Sequence, residues 1–190
     1  EGKIYTTINL GYGVQDHQHD ITGATTGSLS NTGNGLLASL GMGYYLLDEF
    51  RVDLQAHYDR GFKSKKTGTF GADAVDARGK DVSIGGFANA YYDLLNASNF
   101  TPYAMLGVGF LRTEYKAQVK VNATTGKENK SKYNIAYQTG LGLAYHAGSN
   151  VDIDMGYRYI TSQQPEYKMT LTSPAITLNA QPDIIHAAMF

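Results

Sequence analysis

The chain has no cysteine, no tryptophan and only four prolines in 190 residues. Without cysteine there can be no disulfide framework, no thiolate zinc site and no cysteine nucleophile. No apolar run reaches the length of about 18 residues that a membrane-crossing helix needs. Excess charge of one sign is also missing: the net charge is -1, and charged residues make up 17%. A general nucleic-acid binder would carry a basic surplus, so none is expected here. No basic leader with an apolar stretch opens the chain, so any signal peptide is expected to have been removed already. What is abundant is glycine, at 22 residues, and tyrosine, at 15.

The ordered part of the sequence alternates with a period of two. Ile4, Thr6, Ile8, Leu10, Tyr12 and Val14 alternate with Tyr5, Thr7, Asn9, Gly11 and Gly13. Val52, Leu54, Ala56 and Tyr58 alternate with Arg51, Asp53, Gln55 and His57. The same rhythm runs through Leu36–Tyr44, Val82–Tyr92, Ala104–Phe110, Ile135–Tyr145, Val151–Tyr159 and, most weakly, Ile184–Phe190. This is strand periodicity, and it predicts eight strands with one apolar face each. Glycines at alternate positions, such as Gly107 and Gly109, argue against helix, where each costs about 1 kcal/mol.

The connections alternate too. Long polar segments at 15–34, 63–80, 116–132 and 161–181 are separated by short ones at 46–50, 93–100 and 147–150. That is the layout of an outer-membrane barrel, with long extracellular loops and short periplasmic turns. The sequence therefore predicts a single all-β domain over 1–190, an eight-stranded antiparallel up-and-down transmembrane barrel with both termini periplasmic. The apolar rows should face lipid and the glycine-rich rows the narrow lumen. A soluble lipocalin-like barrel would need a polar exterior, which the first strand does not offer. Two aromatic girdles are expected: Tyr44, Phe50, Tyr92, Phe100, Tyr103 and Tyr145 near the short turns, and Tyr12, Tyr58, Phe62, Phe110, Tyr137 and Tyr157 near the long loops.

Several segments carry a resemblance. Ile8-Asn9-Leu10-Gly11-Tyr12-Gly13 resembles the opening strand of the opacity-protein and OmpA-like family of small outer-membrane barrels. Thr101-Pro102-Tyr103-Ala104-Met105-Leu106-Gly107-Val108-Gly109-Phe110 and Asp154-Met155-Gly156-Tyr157-Arg158-Tyr159 are similar to that family's fifth and seventh strands. Phe190 matches the C-terminal aromatic read by outer-membrane assembly machinery. The resemblance covers the barrel and not the loops. Members close with a Gly-x-Arg-Tyr-x-Phe-like ending, whereas this chain stops at His186-Ala187-Ala188-Met189-Phe190. A last strand of about eight residues is short against the roughly 9–11 that span a bilayer, so a natural end a few residues beyond Phe190 is expected.

The resemblance implies a Gram-negative outer-membrane location and a surface role: attachment to host-cell or matrix ligands through the loops, or envelope integrity. The implied partners are outer-membrane lipid, lipopolysaccharide and host surfaces, for a monomer. Lys63, Lys65 and Lys66 in the second long connection, and Lys116, Lys120, Lys127, Lys130 and Lys132 in the third, are candidate contacts for anionic ligands. The alternatives are a lipid A-modifying enzyme or a small-solute channel. The enzyme reading finds His57-Tyr58-Asp59 and His146 without a serine beside them, so no catalytic residues are expected. The channel reading meets a lumen only wide enough for side chains. His17 and His19 share a face of an extended segment but have no third ligand, so neither metal nor cofactor is expected. Arg51, Asp53, His57, Asp152, Asp154 and Arg158 fall on lumen-facing positions. Buried charges must be paired, so these are expected to form an ion-paired plug, with Gln55, Asn89, Tyr91 and Gln138 satisfying the remaining groups.

Overall fold

A computed structural model describes residues 3–22, 27–61, 64–70, 73–95, 98–121, 124–147, 151–162, 169–172, 175–180 and 183–190. The alternating segments pair in chain order. The strands are β1 (Ile4–Thr22), β2 (Gly27–Tyr45), β3 (Phe50–Gly61), β4 (Ser64–Phe70), β5 (Asp73–Asp93) and β6 (Phe100–Val121). They continue as β7 (Thr124–His146), β8 (Asp152–Ser162), β9 (Met169–Thr172), β10 (Ala175–Ala180) and β11 (Asp183–Met189). Eight of them, β1, β2, β3, β5, β6, β7, β8 and β11, are the staves of a closed antiparallel barrel. Closure comes from β11 against β1, where Gly11 lies opposite Met189 and Asp16 opposite Ile184. Phe190 exchanges both backbone hydrogen bonds with Leu10, at 2.9 and 2.7 Å.

The lipid-facing parity follows the alternation. Ile8, Leu54, Leu106 and Phe110 are 76%, 70%, 68% and 67% exposed, a wall that only an apolar solvent would cover. The inner positions 51, 53, 55, 57, 59 and 61 of β3 are all buried. Tyr44, Phe50, Tyr92, Phe100 and Tyr145 stand outward at one end and Tyr12, Tyr58, Phe110, Tyr137 and Tyr157 at the other. Tyr103 is a correction to the inner girdle: it is only 4% exposed and points into the lumen. Its neighbours Pro102 and Ala104 hold the opposite parity, so the alternation itself turns Tyr103 inward. Phe62 lies outside the described residues.

Glycine is what lets aromatic rings lie flat in so narrow an interior. A Cβ on Gly43 would run into the ring of Tyr5, and one on Gly142 into the ring of Tyr103. The lumen is layered. Toward the extracellular end, Leu37, Phe87, Leu111, Ala136, Ile160, Ile185, Ala187 and Met189 form an apolar cluster. These inward apolar residues are a difference from the small-or-polar inner face expected from the sequence. Nearer the periplasm the charged and amide side chains around Arg51 and Asp53 lie beside a second buried cluster, Tyr91, Tyr103 and Met105.

The long connections hold further strand. β1 and β2 stay paired out to Ile21 opposite Gly27, and β6 and β7 out to Val121 opposite Thr124. The period of two persists there: Tyr115, Ala117, Val119 and Val121 alternate with Lys116, Gln118 and Lys120. Polar composition suggests loop, but the alternation, with no proline to interrupt it, suits continued strand pairing.

Candidate functional site: the lumen network and the extracellular hairpins

Inward parity on adjacent staves brings charged side chains into one buried network. Arg51, at the start of β3, is 8% exposed, and its Nε lies 2.9 and 3.1 Å from the two oxygens of Asp93, at the end of β5. Its guanidinium also faces the rings of Tyr91, Tyr103 and Tyr5, at 4.2, 5.1 and 5.6 Å from their centroids. A buried arginine is thus compensated by one carboxylate and three ring faces.

Asp53 lies one inward step further along β3. It accepts hydrogen bonds from Asn89 Nδ2 at 2.6 Å, Gln55 Nε2 at 2.8 Å and the Tyr91 hydroxyl at 3.0 Å. The carbonyl of Asn89 in turn accepts from Gln138. Arg158, on β8, donates to Gln55 Oε1 at 3.0 Å. One hydrogen-bonded chain therefore joins β3, β5, β7 and β8 across the barrel. Asp154 accepts from the Tyr103 hydroxyl at 2.6 Å. His57 packs its ring edge-on against Phe87, with centroids 5.4 Å apart.

The structure thus brings Arg51, Asp53 and Arg158 into the lumen beside Gln55, Asn89, Tyr91 and Gln138. It places Asp152 elsewhere: half-exposed at the periplasmic rim, with its carboxylate 2.7 Å from His146 Nδ1. The partner of Arg51 is Asp93, which the sequence reading passed over. Asp93 ends the run that begins at Val82 and has inward parity, so it could have been found by extending that run one residue.

At the same rim, the Thr101 hydroxyl lies 3.0 Å from His146 Nε2. Hydroxyl, imidazole and carboxylate therefore stand in the order of a catalytic triad. Pro102 follows Thr101, however, and has no N–H to offer as the oxyanion donor that commonly comes from the residue after the nucleophile. The arrangement reads as a strut joining β6, β7 and β8 at the mouth.

The extracellular lysines converge through backbone pairing. β4 takes over from β3 along the edge of β5, with Lys65 opposite Arg78 and Lys66 opposite Ala77. On the other edge of β5, Lys80 lies opposite Lys116 and Asp76 opposite Lys120. β7 adds Lys127 opposite Gln118, Lys130 opposite Tyr115 and Lys132 opposite Thr113. The second and third connections therefore build one four-stranded sheet, β4–β5–β6–β7. Lys63 lies outside the described residues, as do the side chains of Lys65, Lys66, Lys116, Lys120, Lys127, Lys130, His17 and His19. Among the described residues no group of acidic and histidine side chains could hold a metal ion.

The comparisons with known proteins agree with this architecture. A putative adhesin of Rickettsia rickettsii is 28% identical over 171 residues, covering 86% of this chain and 74% of the relative. The outer membrane protein PagN of Salmonella typhimurium is 27% identical over 177 residues, covering 85% of this chain and 72% of PagN. Among solved structures, the outer membrane protease OmpT of Escherichia coli superposes with a TM-score of 0.52 at 8% identity, over 98% of this chain and 95% of OmpT. That likeness is one of fold alone. The model of the outer membrane protein beta-barrel domain matches residues 2–180, and the chain belongs to that family, as a Gram-negative outer-membrane barrel.

Proposed function

We propose that this protein is a surface adhesin, in which a closed barrel holds extracellular hairpins that attach to anionic host-cell or matrix ligands. The observation that carries this reading is the shared sheet β4–β5–β6–β7. Backbone pairing gathers lysines of two separate connections on one sheet beyond the outer girdle. Ligand-binding residues commonly sit on segments that a rigid scaffold positions. The names of relatives, putative adhesins among them, support the same reading. The barrel acts as a monomeric scaffold, neither enzyme nor channel, with its lumen plugged by the network of Arg51, Asp53, Arg158 and their amide and phenol partners.

The test displays the protein on cells and measures attachment to sulfated glycans and matrix proteins at several salt concentrations. Replacing Lys116, Lys120, Lys127, Lys130 and Lys132 with glutamine should leave the barrel folded, because substitutions on the extracellular connections, away from the lumen network, contribute little to stability. It should weaken attachment, most at low ionic strength where screening is least. Attachment unchanged at every ionic strength would move the ligand site off this sheet.

A further inference from the structure

Among the described outward positions of the eight staves, the only Asp, Glu, Lys or Arg side chains are Arg60, Arg112 and Glu114. All three lie in one sector. Arg60 and Glu114 are both opposite Val82, and Arg112 is opposite Ile84 on one side and Tyr133 on the other. Arg60 and Arg112 also stand at one height. They lie roughly ten to twelve residues along their strands from Phe50 and Phe100 of the inner girdle. At about 3.3 Å per residue and a tilt of about 40°, that is roughly 25–30 Å, near the outer edge of the apolar band.

The immediate surroundings suit a ligand that is anionic at one end and apolar at the other. Arg112 meets Glu114 at 3.1 Å, with both side chains nearly half exposed, a pair weak enough for a stronger anion to displace. The Arg112 guanidinium also lies over Tyr133, 5.8 Å from the ring centroid. Below the arginines, Ile84 and Phe110 are 58% and 67% exposed toward lipid. Glu114 offsets one positive charge and leaves the patch cationic. Arginine presents a planar fork of donors that fits phosphate oxygens in pairs.

We infer that this sector binds a phosphorylated glycolipid of the outer leaflet, with Arg60 and Arg112 on its phosphate and Ile84, Phe110 and Tyr133 against its acyl chains and sugars. The site is on the wall, below the hairpins, and is independent of the adhesion reading.

The experiment reconstitutes the protein in phosphatidylcholine bilayers and reads the temperature at which the compact, unheated gel form is lost. Adding rough lipopolysaccharide should raise that temperature for the wild type. Dephosphorylated lipopolysaccharide and phosphatidylglycerol should not. In the double variant Arg60→Gln, Arg112→Gln the upward shift should vanish, while melting in phosphatidylcholine alone stays at the wild-type value. Arg60→Lys with Arg112→Lys should restore part of it. The same shift in the glutamine variant, or from dephosphorylated lipopolysaccharide, would overturn the site. An equal shift from phosphatidylglycerol would overturn the glycolipid assignment. Should the double variant fail to fold, the lipid comparisons on wild-type protein still decide the phosphate requirement. Attachment to host ligands, measured on the same variants, should not change, so failure of this site and failure of the adhesion reading are separable.

Discussion

Arg51 Nε lies within 3.1 Å of both carboxylate oxygens of Asp93, joining the periplasmic ends of β3 and β5 inside the barrel. Both residues are under a tenth exposed. Breaking a buried pair from one side leaves an uncompensated charge, which costs about 3–5 kcal/mol. Arg51→Ala should therefore destabilise the barrel strongly. Adding Asp93→Ala should recover part of the loss, since no lone carboxylate then remains. Urea unfolding in detergent, run as a double-mutant cycle, gives the coupling energy. Simple additivity of the two losses would show that the pair does not act as a unit.

Gly142 lies under the ring of Tyr103, where any Cβ collides. Gly142→Val should cost about 1–3 kcal/mol through overpacking. Gly86 is the control, because it faces outward and a Cβ there meets only Gln55 O, at 3.4 Å. Gly86→Ala should stay within about 0.5 kcal/mol of the wild type. The temperature at which the compact gel form disappears ranks the two variants. Equal behaviour would mean that Tyr103 does not occupy the lumen.

The exposed apolar wall also dictates the solvent. With Ile4, Ile8, Leu54 and Leu106 at 68–76% exposure, the folded chain should stay monodisperse only in detergent or lipid. Sedimentation after detergent removal is the check. A folded monomer in plain buffer would contradict the placement of these rows in a membrane.

The lumen network bears on conduction. Asp53 alone accepts three hydrogen bonds, and its chain of partners reaches Arg158 on the far wall. Planar-bilayer recordings should show no steady conductance of porin size. Arg158→Ala should make brief openings more frequent and lower stability, because it removes the charge-assisted bond to Gln55. A steady large conductance from the unmodified barrel would rule out the plug.

The alternation made the barrel legible in one dimension. A period of two is a local property, set by the pleat, so the facing of Ile8, Leu54 or Gln55 follows from its own neighbours. The same parity would have placed Tyr103 in the lumen, had its aromatic character not drawn it into the girdle. It would also have carried the strands outward through Lys116 and Lys120, had charge not been read as loop.

Parity says that Arg51, Asp53, Asp93, Asp152 and Arg158 all point inward, but not which of them meet. That choice depends on how far each stave is staggered against the next and where the circle closes, which is a non-local sum over eight pairings. Tertiary structure alone set Arg51 on Asp93 of the adjacent stave and left Asp152 at the rim with His146. The gathering of lysines from two connections onto one sheet has the same origin, because the backbone register that places Lys80 opposite Lys116 is fixed by β5 and β6 pairing far below, inside the membrane.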